Sequence, residues 1–281
     1  MESEEVYDAN HTKFNELWKS GWRCYYEEYT IIKGISINKE YSESCLQNMR
    51  IMDLGCGSGD LVAHMIEKGA EKAVGVDISQ KMIDDANDRL FTREDWYSRF
   101  AFEKANCFSI ENMNEIMPIE KYAHYFDAIS SIFLICYAES ERELSEFFRL
   151  CNRYLKDNGN IALITLNPRI ALEFAEYQEK TKNSPFRLIS MRENNGLPVV
   201  EGGFYDIETN ELKFTIHPIV YSREQIQQVL EENGFETEEM EYPAFHPDFD
   251  VNVLSPIITM DFLTRNDSKN IFCKAKKVRS L

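Results

Sequence analysis

Hydrophobic and polar positions along the chain follow two alternating patterns from residue 50 onward. Short apolar runs typical of buried strands occur at 50–54, 73–77, 100–104, 125–131 and 160–165. Amphipathic stretches typical of helices separate them, at 60–68, 79–90, 110–117 and 139–154. Because strands that alternate with helices pair in parallel, the pattern predicts an α/β fold with a doubly wound, mostly parallel sheet. Runs at 235–242 and 270–276 would complete seven strands.

The segments around this alternation predict further parts. Residues 5–32 carry aromatic and apolar residues near helical spacing, which predicts one or two leading helices. After residue 167 the rhythm stops, and β-like runs predict a small antiparallel insertion after strand 5. These runs and their turn are at 186–190, 198–205, 211–220 and 208–210. Ser222 and Gln225 form a capping-box pattern that begins a helix ended by Gly234.

These boundaries divide the chain into four parts. Residues 1–48 form an N-terminal helical cap, and 49–166 form the ligand-binding core. Residues 167–221 form an insertion that covers the substrate, and 222–281 form the C-terminal part of the core sheet. The ligand site is therefore expected between the cap, the insertion and the carboxyl ends of the core strands.

The first strand runs into a glycine-rich loop that is built to approach a ligand. Gly55, Gly57 and Gly59 allow left-handed backbone dihedrals, and free N–H groups at the following helix start attract an anion. A dinucleotide fingerprint would need a third glycine at Asp60, where a carboxylate instead would repel a pyrophosphate. An amino acid, with its ammonium and carboxylate, suits this loop. A tight βα turn without a ligand is the alternative.

The second strand ends in an acid, Asp77, followed by Ser79 as a helix N-cap. An acid at this strand tip can accept both hydroxyls of a ribose. The alternative role, a helix cap, is already available from Ser79. An amino-acid anchor and a ribose anchor together describe S-adenosylmethionine.

With these features the chain resembles the class I S-adenosylmethionine-dependent methyltransferases, which have a Rossmann-like fold. Their first motif, which holds the methionine part, is matched by Asp53, Gly55, Cys56, Gly57 and Gly59. Asp77 matches the acid that holds the ribose, and the runs at 126–133 and 154–160 resemble the fourth-strand motif and the turn before strand five. The resemblance implies S-adenosyl-L-methionine as cofactor.

The resemblance also implies cofactor contacts outside the first motif. These are Tyr7, Ile78, Met82, Asn106, Cys107 and Ser131. Tyr7 resembles a tyrosine that closes over the cofactor, although it could also just pack the first helix. Asn106 departs from the usual Asp beside the adenine and lacks its charge. Asn106 and Cys107 could equally end a strand, as could Ser131.

Composition restricts the partners and the compartment. A net charge of −17, from 48 acidic and 31 basic residues, disfavours nucleic acid, since affinity for phosphate backbones comes mainly from Lys and Arg. The seven cysteines form no C-x-x-C pair and no zinc spacing, which is typical of a reducing compartment and predicts no metal. The acidic N-terminus lacks an apolar signal core, and no run reaches membrane-spanning length. We expect a cytoplasmic protein without membrane partners.

The acceptor of the methyl group is expected to be a small organic molecule. Aromatic residues are dense in the leading helices, near Tyr137, in the insertion and at 242–247, and such walls suit a flat acceptor with an O or N nucleophile. His217 and His246 are the candidate bases, because imidazole titrates near neutrality. The alternatives are a protein- or RNA-directed methyltransferase and a catalytically silent module that binds the cofactor. The oligomeric state stays open.

Overall fold

The computed structural model describes residues 2–18, 23–36, 40–206, 209–249, 268 and 270–281. The helices are α1 (Glu2–Trp18), α2 (Tyr29–Ile35), α3 (Asp60–Glu67), α4 (Gln80–Leu90), α5 (Ile110–Ile116), α6 (Ile119–Tyr122), α7 (Glu141–Tyr154), α8 (Arg169–Leu172), α9 (Phe174–Thr181) and α10 (Arg223–Glu232). The strands are β1 (Arg50–Leu54), β2 (Lys72–Asp77), β3 (Phe100–Lys104), β4 (Phe126–Ile132), β5 (Leu155–Leu166), β6 (Phe186–Asn194), β7 (Leu197–Tyr205), β8 (Leu212–Ile216), β9 (Phe235–Glu241) and β10 (Asn270–Lys277). A π-helical turn, Cys24–Glu28, joins Arg23 to α2.

Seven strands form the main sheet in the order β3-β2-β1-β4-β5-β10-β9. The pairs from β3 to β5 are parallel, whereas β10 runs antiparallel to both β5 and β9. The chain adds β2 and β3 on one side of β1 and then β4 and β5 on the other, so the strand order reverses between β1 and β4. The carboxyl ends of β1, β2 and β4 therefore border a crevice at one edge of the sheet. The predicted α/β, doubly wound, mostly parallel fold is confirmed.

Apolar side chains fill both faces of this sheet. One core cluster packs α7 and α10 on one face, around residues such as Phe147 and Leu230. The other packs α2, α3 and α4 on the opposite face, around residues such as Ile32 and Val62. Side chains of α2 are almost entirely buried, which fixes the N-terminal segment on the sheet. Trp22 lies outside the described residues, as do the side chains of Phe14, Leu17 and Trp18.

The insertion contains the predicted antiparallel strands, and also two helices that the sequence analysis did not predict. β6, β7 and β8 form a three-stranded sheet with its own apolar cluster, and α8 and α9 precede it. β6 extends four residues beyond the predicted run because Asn195 and Gly196, with φ of 51° and 81°, form a tight hairpin turn into β7. Residue 208 of the turn predicted at 208–210 lies outside the described residues.

The predicted turn before the fifth strand is a bulge inside a longer strand. Phe126 pairs with Leu155 and Ala128 pairs with Asn160, so residues 156–159 project from the sheet between these pairs. Asn158 has a left-handed φ of 62°, which asparagine tolerates better than most residues. β5 therefore starts at Leu155, five residues earlier than predicted.

Lys277, at the end of β10, is a buried cation that donates hydrogen bonds to carbonyl groups at the C-terminal end of α7. Its ammonium donates to the carbonyl oxygens of Asn152 and Leu155 at 2.9 and 2.8 Å and lies 3.0 Å from Nδ1 of His124. Burial lowers the pKa of the Lys277 amine. The lysine side chain thus replaces the water that would otherwise solvate these carbonyls.

Lys277→Met is expected to lower the free energy of unfolding by about 2–4 kcal/mol, because two buried carbonyls lose their donor. Urea unfolding followed by circular dichroism measures this change. The matched control is Lys276→Met at the neighbouring, partly exposed position, with an expected change below about 0.5 kcal/mol. Equal midpoints for the two variants would contradict the capping role of Lys277.

Candidate cofactor and active site

A cavity of about 310 Å³ lies at the carboxyl ends of β1, β2 and β4, where the strand order reverses. Its size is in the range of small-molecule sites. Ten of the twelve residues predicted to contact a cofactor line it: Tyr7, Asp53, Gly55, Cys56, Gly57, Asp77, Ile78, Met82, Asn106 and Cys107. Gly59 and Ser131 do not line it. Residues from β1, β2, β3 and α1 therefore meet at one place.

Within the glycine loop, Gly57 faces the cavity and Gly59 faces the core. Gly57 has a φ of 52°, and a Cβ added there would meet no atom within 4 Å, so its backbone borders open volume. Gly59, with a φ of 77°, would bring a Cβ to 2.6 Å from the Phe102 ring. The role of Gly59 in the structure is thus to begin α3 close to β3, which explains why it does not line the cavity.

Asp77 ties the glycine loop to the start of α4. Its Oδ2 accepts the N–H of Gly57 at 2.9 Å, and its Oδ1 accepts the N–H of Ser79 at 2.9 Å. Burial raises the pKa of this carboxyl, and the two N–H donors oppose that shift. Each carboxylate oxygen has a second lone pair, so the pair of oxygens can still accept a diol from the cavity side.

Asp53, at the end of β1, is a buried acid held by a single hydroxyl. Its Oδ1 accepts from Oγ of Ser130 at 2.6 Å. Burial, together with the nearby charges of Asp77 and Glu28, raises the pKa of Asp53 to about 7. A cationic ligand group would restore the ionised form, so this end of the cavity suits an ammonium.

Residues after β3 form a further part of the cavity wall. Oδ1 of Asn106 accepts the N–H of Phe108 at 2.9 Å, and the Asn106 N–H donates to Asn112 at 2.8 Å. Burial raises the pKa of the Cys107 thiol, which therefore stays protonated. This wall offers an aromatic ring, a neutral thiol and an amide to a ligand.

Helix α1 covers the mouth of the cavity. The hydroxyls of Tyr7 and Tyr137 lie 2.7 Å apart, and Asp8 accepts a hydrogen bond from Oγ of Ser79 at 2.5 Å. Lys104 forms an ion pair with Glu4 at 2.8 Å. Burial raises the pKa of both tyrosines, so both hydroxyls are protonated. Tyr7 and Tyr137 thus contribute neutral hydroxyls to the cavity lining.

A family model described as a methyltransferase domain matches residues 27–240 of the chain. The chain belongs to the class I S-adenosylmethionine-dependent methyltransferases. Its cofactor is accordingly S-adenosylmethionine, and the donor set fits that molecule. Asp77 offers two oxygens for a ribose, Asp53 offers a carboxylate for an ammonium, and Gly57 leaves room for a ligand against the backbone.

The methyltransferase is 27% identical over 231 residues to the ubiquinone biosynthesis O-methyltransferase of Pelagibacter ubique, covering 76% of this chain and 88% of that protein. It is 32% identical over 99 residues to an uncharacterized protein of Haemophilus influenzae, of which it spans 34%. An S-adenosylmethionine-dependent methyltransferase structure from Clostridium acetobutylicum superposes with a TM-score of 0.62 at 14% identity, covering 96% of this chain and 99% of that one. This structural similarity shows the fold.

The two histidines predicted as bases do not line the cavity of the methyltransferase. His246 packs against the rings of Tyr25, Tyr29 and Tyr41, with centroids 6.0, 5.0 and 4.9 Å away. His217 is exposed after β8. The loop positions suggested proximity to the pocket, but aromatic packing holds His246 outside it. Neither histidine is used in the function proposed below.

The cavity also contains polar residues that sequence reasoning did not select. Arg23 and Glu28 flank the π-helical turn, and Glu139 and Glu143 lie at the start of α7. Arg23 pairs with the buried Glu27. A π turn is frequent at functional sites, but its sequence has no simple signature. The density of aromatic residues in the leading helices was the available signal, and it predicted aromatic walls for a flat acceptor instead of charged residues in the cavity.

Within the described ranges, no helix combines the length and apolar character needed to cross a membrane. No group of three or more His, Cys, Asp or Glu side chains in that same part of the chain is arranged to hold a metal ion.

Proposed function

We propose that this methyltransferase transfers a methyl group from S-adenosylmethionine to an oxygen or nitrogen of a small aromatic or heterocyclic acceptor. The observation that supports this best is the composition of the cavity wall. Four aromatic side chains line the same cavity as the glycine loop and Asp77: Tyr7, Phe108, Phe133 and Tyr137. Aromatic walls bury flat molecules efficiently and orient them by ring contacts. The similarity to a ubiquinone biosynthesis O-methyltransferase, over 76% of this chain, supports an aromatic acceptor.

The cofactor supplies an electrophilic methyl group on a sulfonium, so the chain's own residues have to align the nucleophile, exclude water and hold the released proton. Tyr7 and Tyr137 close the mouth of the cavity, and their protonated hydroxyls can donate to an acceptor oxygen or nitrogen. Glu143, whose Oε2 accepts the N–H of Glu139 at 2.7 Å, provides a carboxylate at the same mouth. We assign acceptance of the released proton to the carboxylates of Glu139 and Glu143, which both line the cavity.

The backbone of Phe133 supports this arrangement. Its φ of 56° is strained for a bulky residue. The Phe133 N–H donates to the Ile164 carbonyl at 2.8 Å, and the Phe133 carbonyl accepts from the Cys136 thiol at 3.2 Å. Strained residues concentrate at ligand sites, where the surrounding hydrogen bonds hold them. Phe133 also packs against the insertion core, so the insertion borders the proposed acceptor site.

A turnover assay tests the proposal. The full chain is incubated with S-adenosylmethionine and a panel of catechols, phenols and nitrogen heterocycles, and mass spectrometry detects S-adenosylhomocysteine and methylated product. We expect turnover with at least one aromatic member of the panel and none with aliphatic acids. Turnover with an unfolded peptide or RNA pool instead would favour the macromolecular alternative. Tight binding of the cofactor without any turnover would favour the silent module.

A further inference from the structure

Three side chains form a hydrogen-bonded chain that leads away from the cavity. Glu28 lines the cavity, and its Oε2 lies 3.0 Å from Nδ1 of His64. Nε2 of His64 lies 2.9 Å from the hydroxyl of Tyr41. A carboxylate accepts hydrogen bonds, so Nδ1 carries a proton, and Nε2 of the neutral ring accepts from the Tyr41 hydroxyl. The chain therefore connects a cavity carboxylate to residues outside the cavity.

The three residues come from separate elements that converge here. Glu28 ends the π-helical turn, His64 lies one turn into α3 after Asp60, and Tyr41 lies in the segment before β1. The side chains of Glu28 and His64 are only 9% and 13% exposed. Because both groups are largely withdrawn from water, their interaction is stronger than that of a surface pair and fixes the carboxylate orientation.

The carboxylate lies at the glycine-loop end of the cavity. The charge of Glu28 acts on Asp53 at the end of β1 and on the Arg23 guanidinium, so these three groups are close neighbours. Asp53, with its carboxylate at the start of the glycine loop, marks the end where the amino-acid part of the cofactor is expected. Glu28 thus presents negative charge to the ammonium of that part.

We infer that His64 is a positioning residue for the cofactor, which holds Glu28 at the amino-acid end of the cavity and sets the charge presented there. This inference rests on the cofactor-binding site of the proposed function. Tyr41 acts behind it, by donating to Nε2 and keeping the Nδ1–H tautomer directed at Glu28.

Other charged and titratable groups surround these three side chains. They are Arg23, Cys24 and Glu27 on the π-helical segment, Asp53 on β1, Asp60 and Lys68 at the ends of α3, Glu43 beside Lys68, and His246 against Tyr41. Because these groups are the same in every variant, the informative quantity is the difference in affinity between variants at one pH.

Isothermal titration calorimetry with S-adenosylhomocysteine at one fixed pH tests the inference on the full chain. His64→Leu removes the donor to Glu28 and is expected to weaken binding about tenfold. His64→Asn places an uncharged N–H near the position of Nδ1, so it should restore binding to within about threefold of wild type.

Two controls separate positioning from a general loss of structure. His124→Asn changes an exposed histidine near Lys277, at the opposite end of the sheet strands, and is expected to leave the affinity unchanged. Glu28→Gln should weaken binding, and adding His64→Leu to it should cause no further loss, because His64 acts through Glu28.

The outcomes distinguish this inference from the function on which it rests. A wild-type chain that does not bind S-adenosylhomocysteine would overturn both. If wild type binds, but His64→Leu keeps its affinity, only the role of His64 is overturned. A lower melting temperature with unchanged affinity in the His64 variants would show a purely structural residue and would overturn the inference as well.

Discussion

Asp77→Ala is expected to weaken the binding of S-adenosylmethionine about a hundredfold or more. The ribose loses two hydrogen bonds to a charged acceptor, at about 1.5–3 kcal/mol each, and 1.4 kcal/mol corresponds to a tenfold change in Kd. The structure adds a second cause, because the same carboxylate accepts the N–H groups of Gly57 and Ser79. Its removal therefore also releases the glycine loop. Calorimetric titration at fixed ionic strength measures the change.

The matched control for this prediction is Asp84→Ala. Asp84 is an exposed acid on α4 that accepts from Gln80, so its removal changes the net charge equally without touching the cavity. Its affinity should stay within about twofold of wild type. Because Asp77→Ala also removes the acceptor of two backbone N–H groups, thermal unfolding is measured on the same sample. Wild-type affinity in Asp77→Ala would refute the assignment of this carboxylate to the ribose.

Gly57→Val is expected to abolish measurable cofactor binding. A Cβ at this position points into open cavity volume, and the branched side chain would fill the space beside the loop where the ligand backbone contact is expected. The φ of 52° adds a folding cost of about 1–3 kcal/mol, because a β-branched residue is strained in the left-handed region. Binding and thermal unfolding are measured on the same sample.

The chain provides a control that carries the same backbone cost. Gly196, in the hairpin turn between β6 and β7, has a φ of 81°, and a Cβ there also meets no atom within 4 Å. Gly196→Val should therefore lower the melting temperature about as much as Gly57→Val, yet bind the cofactor normally. Equal binding by the two variants would mean that Gly57 does not border the ligand.

Local patterns predicted the fold and the glycine-loop side of the cavity. The strands of the main sheet are recognisable because each is a short buried run with turn residues at its end, and a strand's carboxyl tip is known once the strand is known. Asp53, Gly57 and Asp77 all lie within a few residues of such tips. Their convergence follows from the parallel order of β1 and β2 without any knowledge of distant contacts.

Residues brought to the cavity by tertiary packing had no comparable signal. Arg23, Glu28 and Glu143 lie on helical segments where charged residues are common, and only the packing of those segments directs them into the cavity. His64 had no signal of this kind, because its partner Glu28 lies 36 residues earlier in sequence and only the fold brings the two together. The hairpin turn at Asn195 and Gly196 is different, because an Asn-Gly pair between β-like runs is a recognised turn signal that was overlooked.

The π-helical turn brings the side chains of Arg23 and Glu28 to the same side of their segment, which a regular α-helix would not do. Each residue of an α-helix advances the side chain by about 100° around the axis, and a π turn holds one residue more than an α turn. Deleting one residue from Cys24–Glu28 would let the segment relax to an α-helix and would rotate Arg23 away from the direction it shares with Glu28. The additional residue of the π turn therefore lets both Arg23 and Glu28 line the same cavity.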